Sequence, residues 1–232
     1  MKKNIFTLSF LALASLGLFS CGSDEQDALV STVNLQTRTV IESETSSPGV
    51  VSGANLLNAT IRIREVAMVQ PTDPITRNVI IGDGSVRQIT LLNSGLATST
   101  TDFGTAVLNH GEYDRLILRL DRGTSLPDGD PMRNRSLLIS GTVNNMILNI
   151  HTDSEEIVTA VLGGGPYTIS SDENLFLNIN LNALFQNIDL RTAQDGNANN
   201  IIEIDPSNID GNRDIYNQMV NNIPSAFTVT RQ

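Results

Sequence analysis

Leu57-Asn58-Ala59-Thr60-Ile61-Arg62-Ile63-Arg64 alternates apolar and polar side chains along its whole length. A period of two puts Leu57, Ala59, Ile61 and Ile63 on one face of an extended chain, and Asn58, Thr60, Arg62 and Arg64 on the other. That is the pattern of a strand with one buried and one wet face. At Glu65 the phase flips, and Val66 and Met68 take the opposite parity. An extra residue near Glu65, a β-bulge, re-aims every side chain after it. The segment ends at Pro71 and Pro74.

The same period recurs on both sides of this stretch. Val33, Leu35, Thr37, Thr39 and Ile41 share a face upstream, and Leu116, Leu118 and Leu120 alternate with outward Arg115, Arg119 and Asp121 downstream. Val79-Ile80-Ile81, Gly82-Asp83-Gly84 and Val86 to Leu92 read as a hairpin around a tight turn. Strands are also expected over 105–108, 136–142, 146–150, 157–162 and 175–181, with a last short one over 201–204. Turn residues separate them, as in Pro127-Asp128-Gly129-Asp130-Pro131 and Gly163-Gly164-Gly165-Pro166. A helical turn is expected near Asn182 to Phe185, and Ile215, Met219, Val220 and Ile223 carry the i, i+4 spacing of one amphipathic helix stopped by Pro224. The expected fold is all-β, an antiparallel β-sandwich of roughly nine or ten strands with a short C-terminal helix.

The N-terminus is of a different kind. Lys2 and Lys3 precede an apolar run from Ile5 to Phe19, the anatomy of a secretory signal peptide. The run is 15 residues long, short of the roughly 20 that span a bilayer. Leu18-Phe19-Ser20-Cys21 resembles the lipobox of bacterial lipoproteins, and Cys21 is the sole cysteine of the chain. The resemblance implies cleavage before Cys21 and acylation of its sulfur. Ser23-Asp24-Glu25 resembles the acidic export signal that sends Bacteroidota-type lipoproteins to the outside of the outer membrane. The boundaries expected are a signal peptide over 1–20, a lipidated tether over 21–29, and a single β-sandwich domain with a C-terminal helical extension over 30–232.

Removing the signal takes away Lys2 and Lys3 and no acid, so the net charge of −10 becomes −12, and every remaining basic side chain is an arginine. Such a surface repels phosphate backbones and anionic lipid, which excludes nucleic acid as a partner and leaves the acyl chains at Cys21 as the membrane attachment. Aromatic residues make up 4% with no Trp, few for a protein that holds sugars or bases by stacking.

Asn58 to Val66, Gly111 to Asp121 and Leu175 to Leu181, in that order after a lipobox, resemble an uncharacterised Bacteroidota-type family of bacterial lipoprotein domains. The resemblance implies an immunoglobulin- or transthyretin-like sandwich between about Val33 and Leu190, and the family has no established catalytic residues to carry over. The chain departs from it in lacking tryptophan and in its Asn-rich tail from Asn182.

Asp195-Gly196-Asn197-Ala198-Asn199 has the D-x-N-x-N opening of a calcium loop, in which oxygens at alternate positions gather on one side of a turn. Asp195, Asn197 and Asn199 are thus the candidate calcium ligands, with Glu203, Asp205, Asp210 and Asp214 nearby. Asn200 stands where the turn glycine belongs, and Pro206 where the bidentate Glu belongs. His110 and His151, the two histidines, fall near strand ends beside turn residues and read as surface histidines. No G-x-S-x-G, H-E-x-x-H or Walker loop occurs. Gly163 to Tyr167 reads as a turn, since no helix follows it to cradle a phosphate.

The expected function is a non-catalytic, tethered binding or structural module, displayed at the outer membrane and probing a protein or glycan partner through its loops. The alternative is a small-ligand or calcium-dependent binding protein using the loop from Asp195 to Asp214, and an enzyme of unknown type is third.

Overall fold

A computed structural model describes residues 29–42, 49–71 and 78–232. The segments read as signal peptide (1–20) and lipidated tether (21–29), Cys21 included, lie outside the described residues except for Leu29. The strands are β1 (Val30–Val40), β2 (Val50–Val51), β3 (Ala54–Val69), β4 (Asn78–Ile80), β5 (Arg87–Asn93), β6 (Leu96–Ala97), β7 (Thr101–Asn109) and β8 (Gly111–Tyr113). They continue with β9 (Arg115–Leu120), β10 (Leu137–Val143), β11 (Met146–Thr152), β12 (Ile157–Leu162), β13 (Tyr167–Ile169) and β14 (Glu173–Asn180). A helical turn, α1 (Leu181–Leu184), then leads to β15 (Ile201–Ile204), α2 (Arg213–Asn222) and β16 (Phe227–Arg231).

The all-β sandwich with its short C-terminal helix is as expected. The strand number is higher, sixteen among the described residues against nine or ten. Most of the excess is in pieces of two or three residues, β2, β6, β8 and β13, too short for a period of two to show. The hairpin read over 79–92 is corrected, since β4 and β5 each pair with β3. β16 follows the stop at Pro224 and was not expected, although Phe227 and Val229 alternate with Thr228 and Thr230 and are buried. The pairing is also not purely antiparallel. β1 lies parallel to β14, β11 to β15 and β12 to β16. Long connections returning to the same side of a strand produce such pairs, and no local pattern announces them.

β3 is the strand shared by both layers. Its first half lies between β10 and β5, and its second half between β9 and β4. The register break between Ile63 and Glu65 separates the halves, the bulge expected from the phase flip. A second break, between Ser140 and Gly141 of β10, skips Leu57 of β3. Leu57 is therefore turned out and exposed while Leu56 is buried, a correction to the face read from the sequence. Inside, Ile61, Leu91 and Leu137 meet Ile179, Leu184 and Phe227 across the two layers.

β7, one end of the strand path, approaches the segment just beyond β4. Gly82 N–H donates to Thr105 O at 2.9 Å, and a Cβ on Gly104 would stand 2.6 Å from Gly82 Cα. Glycine at both positions permits this contact, because any side chain would separate the backbones. Among the described residues no helix is long and apolar enough to cross a membrane.

Candidate functional site

β10, β11 and β15 lie side by side at one end of the strand path. Their inward residues, Ile139, Leu148, Ile150, Ile202 and Ile204, are fully buried. The register stacks the outward residues in rungs. Ser140 pairs with Asn149, and Asn149 with Glu203. Leu138 pairs with His151, and β15 runs on into Asp205 beside it. With Arg135 from the approach to β10, these side chains line a cavity of about 180 Å³.

Electrostatics within this cleft are lopsided. His151 Nδ1 stands 4.0 Å from Asp205 Oδ2, and the His151 side chain is 20% exposed. Burial, reinforced by the neighbouring Arg135 guanidinium, pushes the His151 pKa below the ordinary imidazole range, against the pull of Asp205 and Asp153. The imidazole is therefore neutral at pH 7. Burial works to raise the Asp205 pKa, but the Ser207 hydroxyl, the Asn208 and Ser207 amides and His151 outweigh it and hold the carboxyl below its usual range. Asp205 is thus an ionised carboxylate only 7% exposed at its side chain.

The residues read as calcium ligands lie beyond β15, and their oxygens are engaged by the backbone. Asp195 accepts from Asn199 N–H and Asn200 N–H through its two oxygens, and Asn197 Oδ1 also accepts from Asn199 N–H. Asn199 Oδ1 accepts from Ile201 N–H at 2.8 Å. Asp210 accepts from Asn197 N–H through one oxygen and from Glu203 N–H through the other. Asn212 Nδ2 donates to Glu203 O and to Gln194 O. Asn199, Asp210 and Asn212 therefore bond the free edge of β15 where a neighbouring strand would otherwise pair. Among the described residues no group of three or more His, Cys, Asp or Glu side chains is placed to hold a metal ion.

Of the two histidines, His110 meets Ser31 Oγ at 2.8 Å through Nε2, beside the start of β1. The structure does not bring it near His151, which lines the cleft instead of lying on open surface. The turn at Gly163 to Tyr167 stays a turn, tied down where Tyr167 Oη donates to Val229 O and Gly163 O. Arg135, Ser140 and Asn149 were not singled out in the sequence. Their signal, an outward polar residue on each of several strands, is present there, but the register that aligns them is not.

No model of a known protein family matches the chain, and no curated protein does. The family resemblance drawn from the three strand segments therefore stays a resemblance. Among solved structures, the chain is similar to MbnP from Methylosinus trichosporium, with 10% identity and a TM-score of 0.37, over 67% of this chain and 78% of that one. It is also similar to a candidate cell adhesion protein from Bacteroides ovatus, with 8% identity and a TM-score of 0.20, over 65% of this chain and 39% of that one. Likeness at that level is not evidence of a shared activity.

Proposed function

We propose that the chain is a lipid-anchored module of the bacterial outer membrane, displayed at the cell surface, that contacts a partner protein or glycan without catalysis. The observation that carries this reading is Leu18-Phe19-Ser20-Cys21 at the end of an apolar signal, with Cys21 the sole sulfur nucleophile of the chain. One acyl chain holds a protein only marginally, whereas two or more anchor it stably. The chains carried by a lipobox cysteine meet that requirement.

The fold supports the reading by its polarity. Val30 opens β1 nine residues after Cys21, so the tethered end of the domain stays within about 30 Å of the anchor. β1 then rises about 33 Å to Val40. At that far end β14 gives way to α1, and Asn182 is bonded to Glu42 through both its side-chain oxygen and its amide. An open polar groove of about 370 Å³ lies beside them, with Asn182, Gln186, Asn187, Asp189 and Arg191 in its walls. In this orientation the groove and the loops around it face away from the lipid and meet the partner.

Protease shaving of intact cells tests the display, with a Cys21→Ala variant as control. Loss of the wild-type protein while the cells remain sealed is the expected result. Survival until the envelope is opened contradicts surface display.

A further inference from the structure

We infer that the cleft between Arg135, His151, Glu203 and Asp205 binds a small zwitterion, its protonated amine between Asp205 and Glu203 and its carboxylate at Arg135. The inference does not rest on where the chain is displayed.

Asp205 is the starting point. Its Oδ1 accepts from Ser207 N–H at 2.8 Å, Ser207 Oγ at 2.6 Å and Asn208 N–H at 3.0 Å. Its Oδ2 accepts no hydrogen bond among the described residues, and His151 Nδ1 at 4.0 Å is too far to supply one. The side chain is nonetheless more than nine-tenths buried and lines the cavity. A carboxylate oxygen left without a donor at the wall of the cavity can take one from a ligand, and an ammonium is the donor that matches its charge. Glu203, one residue pair along β15, adds a second carboxylate. Among the described residues its carboxylate accepts one hydrogen bond, from Asn197 Nδ2 to Oε2 at 3.3 Å.

Arg135 supplies the opposite charge. Its Nη1 donates to Pro131 O, and among the described residues it forms no ion pair. A guanidinium presents a fork of donors suited to a carboxylate. The neutral His151 leaves the acidic side of the cleft uncompensated, while Ser140 and Asn149 offer neutral polar walls and Leu138 an apolar one. A divalent cation fits less well, since calcium asks for six to eight oxygens and no group of three metal-binding side chains is assembled among the described residues. Size limits the ligand further. The cavity of about 180 Å³ is below the ~300–1,000 Å³ of pockets for drug-sized molecules, which leaves room for something of amino-acid dimensions.

Isothermal titration of the full lipidated chain in detergent tests this, with glycine, β-alanine and γ-aminobutyrate as zwitterions of increasing charge separation. Methylamine, acetate and calcium chloride are the controls. At least one zwitterion is expected to bind at one per chain, with methylamine and acetate each at least about ten-fold weaker. Glu203→Gln and Arg135→Gln are expected to weaken that binding by about ten-fold or more at an unchanged melting temperature. Asp205→Asn keeps an oxygen for the Ser207 turn and removes the charge, and loses binding further. Heat from none of the zwitterions, or binding undiminished in both Glu203→Gln and Arg135→Gln, overturns the inference. Heat from calcium alone, abolished by Glu203→Gln, overturns it in favour of a cation site.

Discussion

Asp121 joins two arginines that the alternation of β3 directs outward. Arg62 donates from Nε and Nη2 to Oδ2 at 2.9 and 2.7 Å, and Arg64 donates from the same atoms to Oδ1 at 3.1 and 2.7 Å. Gly123 N–H adds a third donor to Oδ2, and Arg62 Nη1 reaches Gln88 Oε1. The sequence assigned all three charges to an outward face, and that face is correct. Burial was not legible, because it comes from the segment after β9 folding back, with Gly123 close to both Arg62 and Met132. Arg62 ends with its side chain 7% exposed. Replacing Asp121 by Asn leaves that guanidinium buried without its counter-charge, which is expected to cost about 3–5 kcal/mol in urea unfolding. The acid side follows from the same contacts. Burial works to raise the Asp121 pKa, but hydrogen bonds from Arg64 and Arg62 outweigh it and hold it below the usual carboxylate range. A group depressed in the folded state stabilises above its unfolded pKa, about 3.9, and that stabilisation is lost as pH falls through the folded value. Melting temperature is therefore expected to fall more steeply below about pH 4 in the wild type than in Asp121→Asn.

β15 is an edge strand of four residues, long enough to recruit another chain if its outer groups were free. Ile201 N–H, Glu203 N–H and Glu203 O are bonded by Asn199, Asp210 and Asn212, so the Asn/Asp-rich tail closes the sheet with side chains. Asp210 is the central member, 3% exposed and serving two amides. Asp210→Ala is expected to lose about 2–3 kcal/mol of unfolding free energy and to self-associate on size-exclusion chromatography, with wild-type behaviour on both counts as the contradicting result. The composition of this tail was legible, but its purpose was not. Asp and Asn at alternate positions serve a metal and a backbone equally well, since both take carboxylate and amide oxygens. Only the position of β15 beside β11 decides which groups stand within reach. The cleft is similar. His151 and Asp205 are far apart in the chain and meet because β15 returns parallel to β11, a pairing no local period encodes.

At the scale of the whole molecule, the alternating stretches forecast the layers and the bulge in β3, while the order of strands came from contacts far apart in sequence. β1 between β14 and β7, and β3 at the seam of the two layers, are such cases. On the proposed reading the body is tethered through the end at Val30 and carries its groove at the other end of β1, with the charged cleft on the face of β10, β11 and β15. The proposed anchorage at Cys21 is what this orientation rests on, since an untethered copy has no outward end. Growth of cells with an alkyne-bearing palmitate, followed by purification and fluorophore coupling, measures that anchorage directly. The account predicts a labelled wild-type protein that partitions into detergent, and an unlabelled Cys21→Ala variant that does not. A wild-type protein that matures without label, or a Cys21→Ala variant labelled to the same extent, contradicts it.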